Sequence, residues 1–493
     1  MATPFNSASK SLLRLKISAK AVALCLPLLG APLFSAPALS VSLLSGSLLG
    51  ASVLSASAAH AAPETANFEQ VLNAAMNYDT AYRAARYTLA AEREEIGMAK
   101  SQLLPNLSFG AGYVYEDNDN IYTDKDSGFY DPAKPRSSGQ LEDDYWRFNL
   151  RQPLFDYARY QNLNRAKKQV SAAEFRYEQV KQELIYRVAE LWLGMLYAQL
   201  KVQFSLESLE SLDLRQEQAQ RQDELGVGDQ LELLEIGARR DLAEADLLAA
   251  RSELDEKLLE IQMMSGRQLL PPKGWVANVH QLDVAQQPLK VNEWNQQALG
   301  NNRYQEQMAR VEMADAQRQA SRAGHYPTLN LNLDYSRRNS DDEFREKEGF
   351  TASVDLNLEL YGGGKTSSAL RQAEARLSAD QAQADNAVKQ AQQAIAIASA
   401  RQQNLYQRLQ ALKNSMISAQ RYHDAATRGE SLGLRSQIDI VEANTRLFES
   451  RERHAEALVA YLLADLRLHL ETGQLVPNKL KEYDLLFSER LAN

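Results

Sequence analysis

Two very long segments of the chain carry apolar residues at the spacing of a coiled coil. In the first segment these positions step by four and three residues and then keep the same register: Leu184, Val188, Leu191, Met195, Ala198, Val202, Leu209 and Leu212. With a composition rich in Ala, Gln, Glu, Leu and Arg, this spacing predicts helices over about 156–266 and 365–473. Glycines near 226–228 and 429–433 interrupt each helix once. The part before each break has about 65–70 residues, which corresponds to roughly 100 Å of helix.

Four shorter segments alternate between apolar and polar residues, which is the period of a β-strand. Their apolar positions are Leu107, Phe109, Ala111, Tyr113 and Tyr115, then Trp146, Phe148 and Leu150, then Leu329, Leu331, Leu333 and Tyr335, and finally Phe350, Ala352, Val354, Leu356, Leu358 and Leu360. Strands of about ten residues with one apolar and one polar face are typical of outer-membrane barrels. The alternative, a soluble two-layer sheet, leaves no role for helices of roughly 100 Å.

The order helix, strand, loop, strand and long helix occurs twice along the chain. Gly226–Glu235 aligns with Gly433–Glu442, where a Gly, a Gln, an acid and several aliphatic residues coincide. Short helices are expected at about 67–104 and 292–324. The polar segment from Glu116 to Asp144 is expected to form a long surface loop. The pattern therefore predicts an internal duplication of one structural unit.

The beginning of the chain has the features of a secretory signal. A basic leader without acidic residues precedes a stretch of mainly Ala, Leu, Ser, Gly, Val and Pro, and Ala59-His60-Ala61 forms an A-x-A cleavage pattern. The only cysteine, Cys25, would leave with this signal, so the exported chain would have no disulfide. The predicted organisation is a signal peptide (1–61), a first structural repeat (62–270), a linker (271–290), a second structural repeat (291–473) and a C-terminal tail (474–493).

Composition and motifs narrow the classes of function. A net charge of −9 and a pI near 5.5 argue against a nucleic-acid-binding protein. The six histidines are scattered without metal-ligand spacing, so no metal and no cofactor are expected. The segment Gly362–Thr366 resembles part of a phosphate-binding loop, but Glu359 stands where that motif needs a glycine, and a strand-to-helix turn is preferred. The chain is therefore not expected to be an enzyme.

Four strands are too few to close a barrel, and an open sheet edge is not tolerated in lipid. The chain is therefore expected to share its barrel with copies of itself. Two copies give eight strands and a filled interior, whereas three give twelve strands and room for a channel. Small polar residues on the inward faces favour the channel and hence a homotrimer. The predicted fold class is mostly α, with a trimeric twelve-stranded membrane β-barrel and long α-helical coiled-coil segments.

At this level of detail the sequence resembles the TolC-type outer-membrane efflux protein family. The similarity covers the chain up to about Gly473 and rests on the duplicated layout together with short motifs. These motifs are Leu104-Pro105 and Tyr326-Pro327 at strand entries, Pro153–Asp156 and Leu360–Gly363 at strand exits, and Gly433–Ala443 after the second helix break.

The resemblance implies that the barrel is continued by a long α-helical coiled-coil tunnel. It also implies a place in the outer membrane of a Gram-negative bacterium, with this tunnel in the periplasm and an equatorial collar of short helices. It also implies three kinds of partner: outer-membrane lipid, a periplasmic adaptor protein, and an inner-membrane transporter of the ABC or proton-driven kind. The chain would then be an exit duct without an energy source of its own.

Charged residues follow both helix breaks, and they have two interpretations. Asp229-x-x-Glu232 and Ser436-x-x-Asp439 have the spacing of capping boxes that restart a helix. Acidic residues in a first turn also interact favourably with the helix dipole. From the residues alone, capping is the preferred role.

The family resemblance adds a pore entrance, or gate, at the same place. It implies that Asp439 and Glu442 form an acidic ring, that Arg435 bonds to a neighbouring copy, and that Glu232 is its acidic partner. Glu235 belongs to the same candidate entrance. Six carboxylates from three copies would favour cations and could trap divalent ones.

Two kinds of cargo fit an exit duct of this type. We expect type I protein secretion, and the alternative is multidrug or small-molecule efflux. A structural coiled-coil anchor in the outer membrane is a third possibility, which the strands and the duplication disfavour. A neighbouring gene for an ABC transporter would favour secretion, whereas a gene for a proton-driven exporter would favour efflux.

Overall fold

The computed structural model describes residues 64–65, 67–117, 125–126, 128–129, 140–226, 228–270, 284, 291–342 and 345–479. All of them belong to the second of the two units into which the chain divides, Ala61–Asn493. The predicted signal peptide therefore lies outside the described residues, as do most of the predicted linker and tail. Among the described residues, no helix combines the length and the apolar character that crossing a membrane requires.

The described residues of the first half form four helices and four strands. They are β1 (Glu64–Thr65), α1 (Phe68–Tyr78), α2 (Thr80–Ser101), β2 (Asn106–Asp117), β3 (Gln140–Phe155), α3 (Tyr157–Glu224), α4 (Gln230–Ser265) and β4 (Leu269–Leu270). The second half repeats the central part of this order. Its elements are α5 (Val291–Ala298), α6 (Asn302–Arg322), β5 (Thr328–Ser340), β6 (Lys347–Asn357), α7 (Lys365–Ser431) and α8 (Gln437–Glu471).

The predicted long helices and their breaks are present. Helices α3 and α7 have 68 and 67 residues before the break, and α4 and α8 follow it. Most of the predicted seam is also buried, since Leu184, Val188, Met195 and Ala198 are each at most 1% exposed. Leu212 is buried as well, whereas Leu191, Val202 and Leu209 are partly exposed. Apolar residues at this spacing form a continuous stripe that a partner helix covers, which explains why the register continues over so many turns.

Each predicted short helix is in fact two helices, so this expectation was wrong. Asp79 ends α1 and caps α2, because its side chain accepts the backbone N–H of Tyr82 at 2.7 Å. Asn301 does the same before α6, where its side chain accepts the N–H groups of Arg303 and Tyr304. An N-cap residue has non-helical backbone angles, so each cap breaks a helix that composition alone would continue.

The predicted loop between Glu116 and Asp144 is shorter than expected. Strand β2 continues to Asp117 and β3 begins at Gln140, and these two residues are still paired. The polar composition of Gln140–Asp144 had suggested a loop, but backbone pairing of the two strands continues past their apolar parts. The remaining residues of the connection lie mostly outside the described residues.

Strands β2, β3, β5 and β6 form one antiparallel sheet in that order, and β1 pairs with β4 separately. The register places Phe109, Phe148, Tyr335 and Phe350 in one row across all four strands. This face is exposed in the single chain: Phe109 is 61% exposed and Phe350 is 65% exposed. A soluble sheet would bury such a row, so its exposure favours contact with lipid.

The helices nearest the sheet follow the same lateral order as the strands to which they connect. Helix α3 packs against α2 on one side and α6 on the other, and α6 packs against α7. Further from the sheet, α3 pairs with α4, α7 pairs with α8, and α3 contacts α8. The main core lies where α1, α3, α4 and α8 meet, around Trp192 and Tyr461. The described residues of this unit thus form a strip with unpaired edges along both its sheet and its helices.

Two glycines join the ends of the long helices to the breaks in the short ones. Gly266 follows α4 with φ +68°, and a Cβ there would lie 2.5 Å from the ring of Tyr78. Gly473 follows α8 with φ +71°, and a Cβ there would lie 2.3 Å from the carbonyl oxygen of Gly300. Only glycine combines this backbone conformation with such close contact. Equivalent joints in both halves are consistent with the duplication.

Candidate functional site at the helix tips

The candidate residues lie at the ends of two helical hairpins, far along the chain from the sheet. Helix α3 ends at Glu224 and α4 begins at Gln230, with Gly226 at φ +74° between them. Helix α7 ends at Ser431 and α8 begins at Gln437, with Gly433 at φ +70°. Each glycine allows the left-handed backbone that ends a helix and reverses the chain.

The start of α8 has the predicted capping box. The Ser436 side chain accepts the N–H of Asp439 at 3.2 Å, and the Asp439 carboxylate accepts the N–H of Ser436 at 3.0 Å. Two N–H groups without intrahelical acceptors are satisfied in this way. The capping interpretation of Asp439 is therefore confirmed.

The predicted capping box at the start of α4 is wrong. Asp229 caps α4 by accepting the N–H of Leu231 at 2.9 Å. The Glu232 carboxylate instead accepts the backbone N–H of Ile438, at 3.1 Å, in the first turn of α8. The two tips lie side by side, so an N–H of the other helix that lacks an intrahelical acceptor is within reach of Glu232. Glu232 thus links the two halves of the chain.

The remaining candidates form ion pairs along their own helices. Arg435 lies 3.7 Å from Asp439, and its side chain is about half exposed. Glu235 pairs with Arg239 at 2.7 Å, and Glu442 pairs with Arg446 at 3.5 Å. The ion pair found for Arg435 is with Asp439 rather than with Glu232. The Glu232 carboxylate binds nearby, at the N–H of Ile438, which is three residues after Arg435.

A buried glutamine at the tip was not among the predicted site residues. Gln437 is 7% exposed, accepts a hydrogen bond from Arg215 and donates one to Glu430, both at 2.8 Å. It therefore connects α3, α7 and α8. The alignment of the two copies carried a signal for it, since Gln230 occupies the same place in the first copy.

Apolar side chains surround these polar contacts. Five leucines of the two tips are between 66% and 77% exposed in the single chain: Leu225, Leu231, Leu234, Leu432 and Leu434. Within the described ranges, no group of three or more His, Cys, Asp or Glu side chains could hold a metal ion. The tips therefore combine helix caps, paired charges and exposed leucines, which is a suitable surface for packing against other helices.

Comparison with known proteins identifies the family of the chain. The family model described as outer membrane efflux protein matches residues 71–267 and 294–474. The alkaline protease secretion protein AprF of Pseudomonas aeruginosa is 26% identical over 420 residues, which is 81% of this chain and 83% of AprF. The outer membrane protein TolC of Salmonella enteritidis is 25% identical over 441 residues, covering 86% of this chain and 84% of TolC.

Solved structures share the fold at lower sequence identity. The CmeC outer membrane channel of Campylobacter jejuni superposes with a TM-score of 0.68 at 13% identity, over 92% of this chain and 99% of CmeC. A CusC structure superposes with a TM-score of 0.68 at 17% identity, over 82% of this chain and 92% of CusC.

These matches confirm the predicted resemblance, the fold class of barrel strands continued by a helical tunnel, and the place in the outer membrane with extension into the periplasm. The family consists of trimeric exit ducts that work with an adaptor and an inner-membrane transporter, and its members are channels rather than enzymes. Because the family model covers most of both halves, the chain belongs to the outer membrane efflux protein family.

Proposed function

We propose that three copies of this chain form one exit duct for proteins, in type I secretion with a periplasmic adaptor and an ABC transporter. The observation that carries the shared barrel is the open strip. In the part of the chain that the structure describes, β2 and β6 are unpaired edges of a four-stranded sheet whose aromatic face is exposed. Because lipid cannot satisfy free backbone groups, β6 of one copy must pair with β2 of the next.

The exposed apolar band has a height that fits a membrane. On β6 it comprises Phe350, Val354 and Leu356, and it continues past the strand at Leu358 and Leu360. Each of these five side chains is at least 45% exposed. Ten residues of extended chain span roughly 33 Å, which becomes about 25 Å at a strand tilt of about 40°. This is the thickness of the apolar band on outer-membrane barrels.

The helical part of the strip has an edge of the same kind. Helix α4 carries a series of exposed apolar side chains along its length: Leu234, Leu242, Leu248, Leu259 and Met263. An exposed stripe on a coiled-coil helix calls for a further helix to cover it. A neighbouring copy supplies such a helix if the strip closes into a tunnel.

A protein cargo is supported by the names of two relatives. AprF is described as an alkaline protease secretion protein, and PrtF of Dickeya chrysanthemi, also 26% identical, as a proteases secretion protein. We extend this kind of cargo to the present chain.

The tips form the periplasmic entrance in this proposal. Glu232, Glu235, Asp439 and Glu442 supply negative charge at the entrance, and the exposed Arg435 is available to a neighbouring copy. Three copies then place symmetric charges around one opening. A small movement of each tip therefore changes the width of that same opening.

The assembly is tested by the mass of the detergent-solubilised protein. A trimer is expected, and a stable monomer would refute the shared barrel. The cargo is tested in cells that lack the chain. Loss of one or more proteins from the culture medium, restored by the parent chain and without altered drug tolerance, is the expected result. Altered tolerance with unchanged secretion would favour small-molecule efflux instead.

The entrance is tested in planar bilayers. Arg435→Ser should raise single-channel conductance, because each of the three copies would lose its proposed partly exposed ion pair with the neighbouring copy, which contributes about 0–1 kcal/mol. Asp439→Ala combined with Glu442→Ala should weaken cation selectivity and block by divalent ions. If these residues only cap helices, both variants will melt at lower temperature, with conductance and selectivity unchanged.

A further inference from the structure

One arginine in the connection between β5 and β6 reaches across the sheet to its far edge. The Arg345 guanidinium donates to both carboxylate oxygens of Glu116, at 2.8 and 3.1 Å, and lies 2.7 Å from the Asp143 carboxylate. Glu116 is on β2 and Asp143 is on β3. Since the strand order is β2, β3, β5, β6, the side chain spans β3 to reach β2. We call these three residues the Arg345 link.

The Arg345 link is tightly held. The Asp143 side chain is only 3% exposed and that of Arg345 is 25% exposed. The start of the connection is also anchored, because the Asp341 N–H donates to the carbonyl of Glu142 at 3.3 Å. Arg345 makes a bidentate contact with Glu116 and also pairs with the buried Asp143, which requires a specific geometry. Removing Arg345 would leave the buried charge of Asp143 without compensation.

The link lies on the polar face of the sheet. Side chains alternate along a strand, so Glu116 shares its face with Gly110 and Gly112, and Asp143 shares its face with Arg147. The opposite face carries the exposed row of Phe109, Phe148, Tyr335 and Phe350. If that row contacts lipid, the link is on the side of the water-filled lumen, at the end of the barrel away from the helices.

We infer that the Arg345 link holds the Arg345 side chain across the polar face of the sheet and so narrows the extracellular mouth of the barrel, once in each of three copies. The device restricts bulky molecules at the mouth more than small ones. It rests on the proposed function, because the polar face lines a lumen only in the shared barrel.

The test uses a cysteine placed below the link. Ser336 lies on the polar face of β5 opposite Arg147, two inward positions deeper than Asp143. The only natural cysteine is Cys25, in the predicted signal peptide. Ser336→Cys is labelled on intact cells with a small membrane-impermeant thiosulfonate and, separately, with a polyethylene-glycol maleimide. Labelling is compared between the Ser336→Cys chain and the same chain with Arg345→Ala.

Arg345→Ala should speed labelling by the bulky reagent about ten-fold and leave the small reagent nearly unaffected, because several hydrogen bonds to charged groups are lost. Glu116→Gln with Asp143→Asn keeps the side-chain shapes and should have the same effect. Arg345→Lys keeps the positive charge but not the bidentate contact, and the bulky reagent should label it at an intermediate rate. Arg337→Ala is the matched control, since it removes one positive charge from the opposite face of β5 and should change neither rate.

The outcomes separate this inference from the proposed function. If the small reagent labels Ser336→Cys but the bulky reagent labels the chains with and without Arg345 equally fast, the link does not narrow the mouth and the inference is overturned. If even the small reagent fails to reach Ser336→Cys, the polar face does not line an open lumen, and both the inference and the shared barrel are refuted.

Discussion

The contact between Glu232 and Ile438 provides a sharp test of how the two tips are held together. The Ile438 N–H is in the first turn of α8, where it has no acceptor within its own helix, and the Glu232 carboxylate accepts it at 3.1 Å. Glu232→Ala would leave this N–H to water and remove a negative charge from the start of α8. The tip of the first hairpin would then lose a hydrogen bond to the second.

The magnitude follows from the chemistry and the exposure of the contact. A hydrogen bond to a charged group contributes about 1.5–3 kcal/mol when buried. Glu232 is only half-buried, so water replaces part of this energy, and we expect about 1 kcal/mol per chain. That energy corresponds to a roughly five-fold increase in local opening. Glu232→Gln keeps an acceptor but not the charge, so its effect should be smaller.

Glu235→Ala is the matched control, because it removes the same charge from the same helix three residues later. Glu235 pairs with Arg239 within α4, and such a pair contributes only about 0.2–0.5 kcal/mol. The assay is amide hydrogen exchange, followed by mass spectrometry on peptides that include Ile438. Glu232→Ala should exchange fastest, followed by Glu232→Gln, with Glu235→Ala close to the parent chain. Equal exchange in Glu232→Ala and Glu235→Ala would show that the contact does not hold the tips together.

Gly473→Ala should lower the melting temperature more than Gly433→Ala. Both glycines have φ near +70°, but only at Gly473 would a Cβ meet backbone, 2.3 Å from the Gly300 oxygen; equal losses would refute the joint. Burial, with a smaller contribution from a nearby lysine, holds the pKa of His454 below its usual value. The unfolded chain therefore binds this proton first, so stability should fall as the pH drops below about 6.5, and His454→Leu should melt with a smaller pH dependence than the parent chain. A tag inserted near Ser137, outside the described residues, should be accessible on intact cells; protection until the outer membrane is broken would reverse the predicted topology.

Most of the architecture could be predicted from local patterns. The apolar faces follow from the period of two along the four strands and from the coiled-coil period along the two long helices. These periods do not depend on contacts with distant parts of the chain. Glycines at 226 and 433 likewise end the helices through their own backbone freedom. The open edges of four strands then led to the shared barrel through the requirement that backbone groups in lipid be paired.

Helix breaks and strand ends were less predictable, because competing local interactions have similar energies. Asp79 and Asn301 lie in segments that favour helix by composition, yet each ends one helix and caps the next. The strand pairing of Asp117 with Gln140 likewise extends into a segment with the composition of a loop. A cap or one more pair of strand residues changes the energy by about 1 kcal/mol, which composition does not resolve.

The sequence by itself determined the kind of element at each place and the chemical type of each site residue. Contacts within one helix turn, such as the Ser436–Asp439 capping box, also followed from the sequence, whereas tertiary structure alone decided the long-range contacts of Glu232 and Arg345. The spacing of Asp229 and Glu232 was that of a capping box, but the Glu232 carboxylate binds an N–H group 206 residues away. Arg345 meets Glu116 at a separation of 229 residues, across an intervening strand. A side chain binds the best partner within a few ångströms, and only the packing of the two halves brings these partners within that distance.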